Sequence, residues 1–137
     1  MSDDHWEQDE PRPETTASLR LARGPLVAPV LCRVVSMVLA RANCPMDRLD
    51  DALLLCDALS AHAPEQAGDG SVAFALSTHE RCLELRVAEL PREAGARLVR
   101  DSVVPGVGNV LQRVADELRI EPAVDGEHEE LVLELRF

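Results

Sequence analysis

Val72-Ala73-Phe74-Ala75-Leu76, then Thr78-His79-Glu80-Arg81, then Leu83-Glu84-Leu85-Arg86-Val87: the fold of this chain turns on these residues. Large apolar side chains alternate with small or charged ones, the pattern of a strand with one buried face. Two such runs joined by a polar tetrapeptide read as a β-hairpin. Glu84 and Arg86 occupy the outward positions of the second run, so that face meets water. Helices must then cover the other face only, which makes two layers.

Upstream, Leu19 and Leu21 alternate with Arg20 as a further strand, and Gly24-Pro25 breaks it. Val27, Val30, Leu31, Val34 and Val38 form the apolar stripe of a helix over Leu26 to Ala42. Asn43-Cys44-Pro45 ends it, and a second helix is expected from Asp47 to about Ala63 with Leu49, Leu53, Cys56 and Leu59 inward. Asp47, Asp50 and Asp51 suit its positive N-terminal end. Pro64 and Gly68-Asp69-Gly70 mark a loop. Downstream of the hairpin, Arg92 to Arg100 reads as a short helix. A second helix follows Pro105-Gly106-Val107-Gly108, with Val110, Leu111, Val114 and Leu118 as its stripe. Two strands close the chain: Leu118 to Glu121, then Leu131, Leu133, Leu135 and Phe137 alternating with Val132, Glu134 and Arg136, around an Asp125-Gly126 turn. The expected fold is an α/β (α+β) two-layer sandwich: a mixed, largely antiparallel sheet with helices on one face. Residues 1–16, acidic with Pro11 and Pro13, are expected to be a disordered tail carrying Trp6. Residues 17–137 form one domain.

Composition removes several functions. The chain has 137 residues and a net charge of −11, which repels nucleic-acid phosphates. All basic residues are Arg, so no lysine is present to form a Schiff base or a phosphate loop. Aromatic residues make up 2%, so the core is aliphatic. No apolar run reaches the ~20 residues that span a bilayer, and the acidic N-terminus does not read as a secretory signal. A cytoplasmic protein is expected. Cys32, Cys44, Cys56 and Cys82 form no C-x-x-C pair, and the four His are scattered, so no zinc site is expected.

Three local patterns bear on chemistry. Asp57 and Ala61, four apart, share one helix face. Glu89-Leu90-Pro91-Arg92-Glu93 follows the hairpin. Gly106-Val107-Gly108-Asn109-Val110-Leu111 places two glycines before a helix, where exposed amides can hold an anion; a glycine turn that merely starts a helix reads the same. Together with the element order, these resemble the histidine-kinase-like ATPase superfamily, in particular the short anti-sigma-factor serine kinases, over Ala17 to Phe137. The resemblance implies that Asp57 stands where the family has its general base and Ala61 where it has the Asn that holds magnesium. Glu89 stands at the family's adenine-binding Asp, with Pro91 and Glu93 in place of two glycines. Gly106, Gly108 and Asn109 match its phosphate loop, with Arg92, Arg97 and Arg100 near in sequence. Alanine cannot coordinate a metal, and phosphoryl transfer needs metal, base and aligned phosphates together. Expected, then, is an anti-sigma-factor-like regulator that binds a sigma factor or an anti-sigma antagonist, with weak or absent ATP or ADP binding, no magnesium and no phosphoryl transfer. An active serine/threonine kinase using Asp57 is the alternative, and a homodimeric scaffold the third. Neither nucleic acid nor membrane is an expected partner.

Overall fold

In the computed structural model of the chain, residues 14–137 are described. Strand β1 (Thr15–Ala22) leads to helices α1 (Val27–Arg41) and α2 (Met46–Gln66). The hairpin β2 (Ser71–His79) and β3 (Cys82–Pro91) comes next, then helix α3 (Ala94–Asp101). A small hairpin, β4 (Val103–Val104) and β5 (Gly108–Asn109), precedes the short helix α4 (Val110–Val114). β6 (Glu117–Pro122) and β7 (His128–Arg136) close the chain. The main sheet has the order β1-β2-β3-β7-β6, and each of its pairings is antiparallel. This is the two-layer α+β sandwich that the alternation predicts.

Register explains why one face is covered. Ala17, Leu76, Leu85, Leu133 and Leu118 are successive cross-strand neighbours, as are Leu19, Phe74, Val87 and Leu131. Against these rows pack Val27, Leu31, Val35, Val38 and Leu39 of α1 and Leu55, Cys56 and Leu59 of α2, all buried. The opposite face is polar. Arg86 reaches Glu84 (2.6 Å), Glu130 (2.9 Å) and Glu121 (3.0 Å), and Arg119 pairs with Glu121 (2.6 Å) and Glu134. Val132, their neighbour on that face, is fully buried.

Several details differ from the sequence reading. β1 begins at Thr15 rather than Ala17, because Thr15 and Thr16 find partners in Thr78 and Ser77; residues 1–13, with Trp6, lie outside the described residues. Val30 and Val34, expected in the α1 core stripe, are only half-buried; Val35 takes the inward place. α2 runs past Ala63 and keeps the buried Pro64 in its last turn. Arg23 donates from Nε to the Pro64 carbonyl at 2.9 Å and so caps one of the last-turn carbonyls that no helical N–H reaches. α4 stops at Val114, and Leu118 belongs to β6.

A carboxylate pins α3 to the sheet. Glu93 enters the helix with φ +72°, and Glu129 of β7 accepts the Glu93 N–H (3.0 Å) and the Gly95 N–H (2.8 Å). Glu129 therefore fills the anion position that a helix start offers. A Cβ on Gly95 would lie 2.7 Å from Glu129 Oε2.

Two predictions follow from these contacts. Glu129→Gln is expected to cost about 1–2 kcal/mol in urea unfolding, the scale of a charge-assisted hydrogen bond. Gly95→Ala should destabilise too, although Ala gains about 1 kcal/mol over Gly in a helix interior. In a Glu129→Ala background that penalty should shrink or change sign. A pH prediction comes from the open face and the β6–β7 turn. Glu121 and Glu134 lie below the ordinary 4.5, chiefly through hydrogen bonds from Arg119, and Asp125 lies below 3.8 through its hydrogen bond with His128. Depressed carboxylates contribute stability above their unfolded values and lose it as pH falls. His128, at 2.7 Å from Asp125, is raised above 6.5 by that hydrogen bond; its contribution is complete below 6.5 and fades as pH rises through the raised value. Stability measured by urea midpoint should therefore plateau between about pH 5 and 6.5. A flat profile from pH 3 to pH 8 would contradict this.

Candidate functional site

Two of the residues that resemble a nucleotide site, Asp57 and Glu89, lie on different faces of the sheet. Asp57 and Ala61 are both exposed on α2, and Asp57 Oδ1 lies 3.7 Å from Cys32 Sγ of α1. Glu89 sits in the irregular stretch between Val87 and Leu90, with φ +56°, and pairs with Arg20. Leu19 and Leu21, on either side of Arg20, pack on the core. Arg20 and Glu89 therefore lie on the helix-free face, across the sheet from Asp57.

The glycines form a tight turn. Val107 N–H bonds the Val104 carbonyl at 3.0 Å, Gly106 has φ +82° and Gly108 has φ +92°. Arg113 holds the Val107 carbonyl at 2.6 Å. Asn109 caps α4, accepting the Gln112 N–H (3.1 Å) and donating to the Val99 carbonyl (2.6 Å). Val110 N–H bonds the Ser102 carbonyl at 3.0 Å. The Val107, Val110 and Gln112 amides are thus already paired, and α4 spans only five residues. Nearby, Arg97 Nε donates to Gln66 at 3.0 Å, and Arg100 lies 3.6 Å from Asp101.

Among the described residues, a different surface stands open. The sheet has two edges, β1 and β6. β6 is short, ends in Pro122, and carries Glu117, Arg119 and Glu121, the features that discourage strand pairing. β1 has eight residues, no proline and one charge, Arg20. The Arg23 N–H bonds the Gly70 carbonyl (2.9 Å), and this residue pair continues the β1–β2 register. In an antiparallel pair, residues alternate between facing the partner strand and facing away. Thr15, Ala17, Leu19 and Leu21 therefore use their backbone groups on β2. Thr16, Ser18, Arg20 and Ala22 point theirs at the open edge.

Beside that edge runs an apolar strip of α1. Leu26 is 67% and Met37 60% exposed, with half-buried Val30 and Val34 between them. A groove of about 710 Å³ lies between α1 and the start of β1, lined by Ala17, Val34, Met37, Val38 and Ala42. Arg41, His79 and Arg81 stand on its rim with Glu14 and Glu80. Nothing in the alternation of β1 alone marks it as an edge. The missing signal was pairing, since a strand's position in a sheet depends on residues far away in sequence.

Restoring the family's side chains tests the separation of the candidate residues. Asp57→Glu combined with Ala61→Asn is expected to fold and to show no ATP–magnesium binding by calorimetry below about 1 mM, roughly −4 kcal/mol. Micromolar binding would place these residues in a working pocket. Among the described residues, no group of three or more His, Cys, Asp or Glu is arranged to hold a metal, and no helix is long and apolar enough to cross a membrane. Compared with known proteins, the chain matches no family model and no curated protein sequence.

Proposed function

We propose that this chain is a non-catalytic regulatory module that binds a protein partner by strand addition along β1. The groove beside α1 would receive the partner's apolar side chains. One observation carries the reading: among the described residues, one sheet edge is guarded by three charges and proline, while the other is a proline-free strand of eight residues with a single charge. Main-chain hydrogen bonds supply affinity in such complexes, and pockets for alternate side chains supply specificity. The resemblance to anti-sigma-factor kinases gives the partner class, a sigma factor or an anti-sigma antagonist, and with it a cytoplasmic setting. Glu93 supports that resemblance: it stands where the family has glycine, and its φ of +72° is in the region glycine favours. The kinase alternative has less support, because Glu89 lies across the sheet from Asp57.

A second reading, the homodimer, has its own support. Two antiparallel β1 strands related by a two-fold axis at Leu19 would set Leu19 against Leu19 and Arg20 against Ser18, with no like charges opposed.

Ser18→Pro separates binding from folding. The Ser18 N–H points to the open edge, so proline there spares the β1–β2 bonds, and edge positions of this kind tolerate it. The variant should melt within a few degrees of wild type. Its affinity for sigma factors or antagonist domains of the same genome, measured by calorimetry, should fall at least tenfold. If no such protein binds the wild type, or if Ser18→Pro binds equally well, strand addition at β1 is wrong. Sedimentation separates the homodimer, which Ser18→Pro would convert to monomer.

A further inference from the structure

The groove between α1 and the start of β1 has a lining suited to an aromatic side chain. Ala17, Val34, Val38 and Ala42 give it small apolar surfaces, and Met37 adds an exposed thioether, a group that packs favourably against aromatic rings. Thr78, 5% exposed, supplies a hydroxyl within that lining, an acceptor for an indole N–H. The volume of about 710 Å³ is that of pockets that enclose whole small ligands, ample for one indole. Arg41 is exposed on the α1 side of the mouth, and His79 and Arg81 on the hairpin side. Glu14 and Glu80 stand beside the hairpin cations, so the positive charge least offset by the described residues is that of Arg41.

We propose that the occupant of this groove is the indole of Trp6 from the same chain. Glu14, where the described residues begin, is itself part of the lining, and thirteen residues precede it. Trp6 stands eight residues before Glu14, a tether that reaches at most about 28 Å. Along β1 the lining extends only from Thr15 to Ala17, within about 10 Å of Glu14. Asp3, Asp4 and Glu7 flank the tryptophan in sequence and would meet Arg41. Trp6 is also the single tryptophan of a chain with 2% aromatic residues. A tether holds the indole at an effective concentration of the order of millimolar, so a contact too weak for a free peptide persists within the chain.

Seating Trp6 there regulates the binding surface proposed above. The groove that would receive a partner's apolar side chains is already filled, and the partner must displace the indole to bind. That consequence rests on the strand-addition reading; the seating of Trp6 does not. The indole uses the groove and not the backbone groups of β1, so Ser18→Pro should leave it in place. Salt should weaken the share contributed by Arg41 and spare the apolar share.

A single tryptophan is its own reporter in the full chain. Wild-type emission should be blue-shifted relative to free N-acetyltryptophanamide, and acrylamide should quench it about twofold less steeply. Met37→Glu, at a position 60% exposed, should melt within a few degrees of wild type and bring emission and quenching to those of the free amide. Met37→Leu, which keeps the lining apolar, should retain the blue shift. The shift should hold across about a hundredfold range of protein concentration. Emission of the wild type equal to that of the free amide would overturn the proposal. So would a shift that survives Met37→Glu, which would put the indole elsewhere, or one lost on dilution, which would seat it in a second copy. A partner that binds the wild type should bind Trp6→Ala several-fold more tightly; equal affinity would remove the regulatory role. The strand-addition reading fails separately, through Ser18→Pro, whatever the emission of Trp6 reports.

Discussion

One alignment holds this molecule together: Ala17, Leu76, Leu85, Leu133 and Leu118 set side by side across five strands. Because side chains alternate along a strand, slipping any one strand by a residue would exchange its core row for its solvent row. At β3 that would bury Glu84 and Arg86 and expose Leu83 and Leu85. At β7 it would bury Glu134. Each such burial is opposed by the cost of an unpaired charge, and each exposure by lost hydrophobic contact. Register is therefore specified from both faces at once. With Phe74 as the one aromatic among the described residues that are buried, the core depends on many aliphatic contacts rather than a few large ones.

The same alignment arranges the open face and the edges. Arg86 and Arg119 flank Val132 in one row, and glutamates fill the rows on either side, so each guanidinium meets several carboxylates. Such a lattice covers Val132 and fixes β6 to β7 and β3. It leaves the far side of the sheet different in kind: β1 and β2 present Thr16, Ser18, Ala73, Ala75 and Ser77 there, small side chains beside the single Arg20–Glu89 pair. The sheet is thus closed by charge at one edge and left available at the other. That asymmetry, and not any single residue, is the basis for assigning the molecule a binding role.

The nucleotide-like motifs show how one set of residues can serve two ends. A glycine turn, an Asn and a helix start can cradle phosphate when their amides are free. Here Asn109 caps α4 and ties it to the end of α3, Arg113 closes the turn, and Ser102 takes the Val110 amide. The longer helix start, that of α3, is filled by Glu129. In both places polar groups of the chain stand where an anion would, and they stabilise the fold by doing so.

The sequence by itself determined the strand alternation, a hairpin through Thr78-His79-Glu80-Arg81, the two long helices and the two-layer class; pairing moved the turn itself to Glu80-Arg81. These depend on periodicity within a dozen residues, which local sterics and the burial of one face translate directly into structure. It also carried the candidates Asp57, Glu89, Gly106, Gly108 and Asn109, since spacing and residue type can be read locally. Only the tertiary structure decided that Glu89 and Asp57 lie on opposite sides of the sheet and that β1 stands at the end of the strand order. Each of those facts joins residues that are distant in the chain, and such contacts are fixed by packing and strand order, for which short-range pattern holds no record.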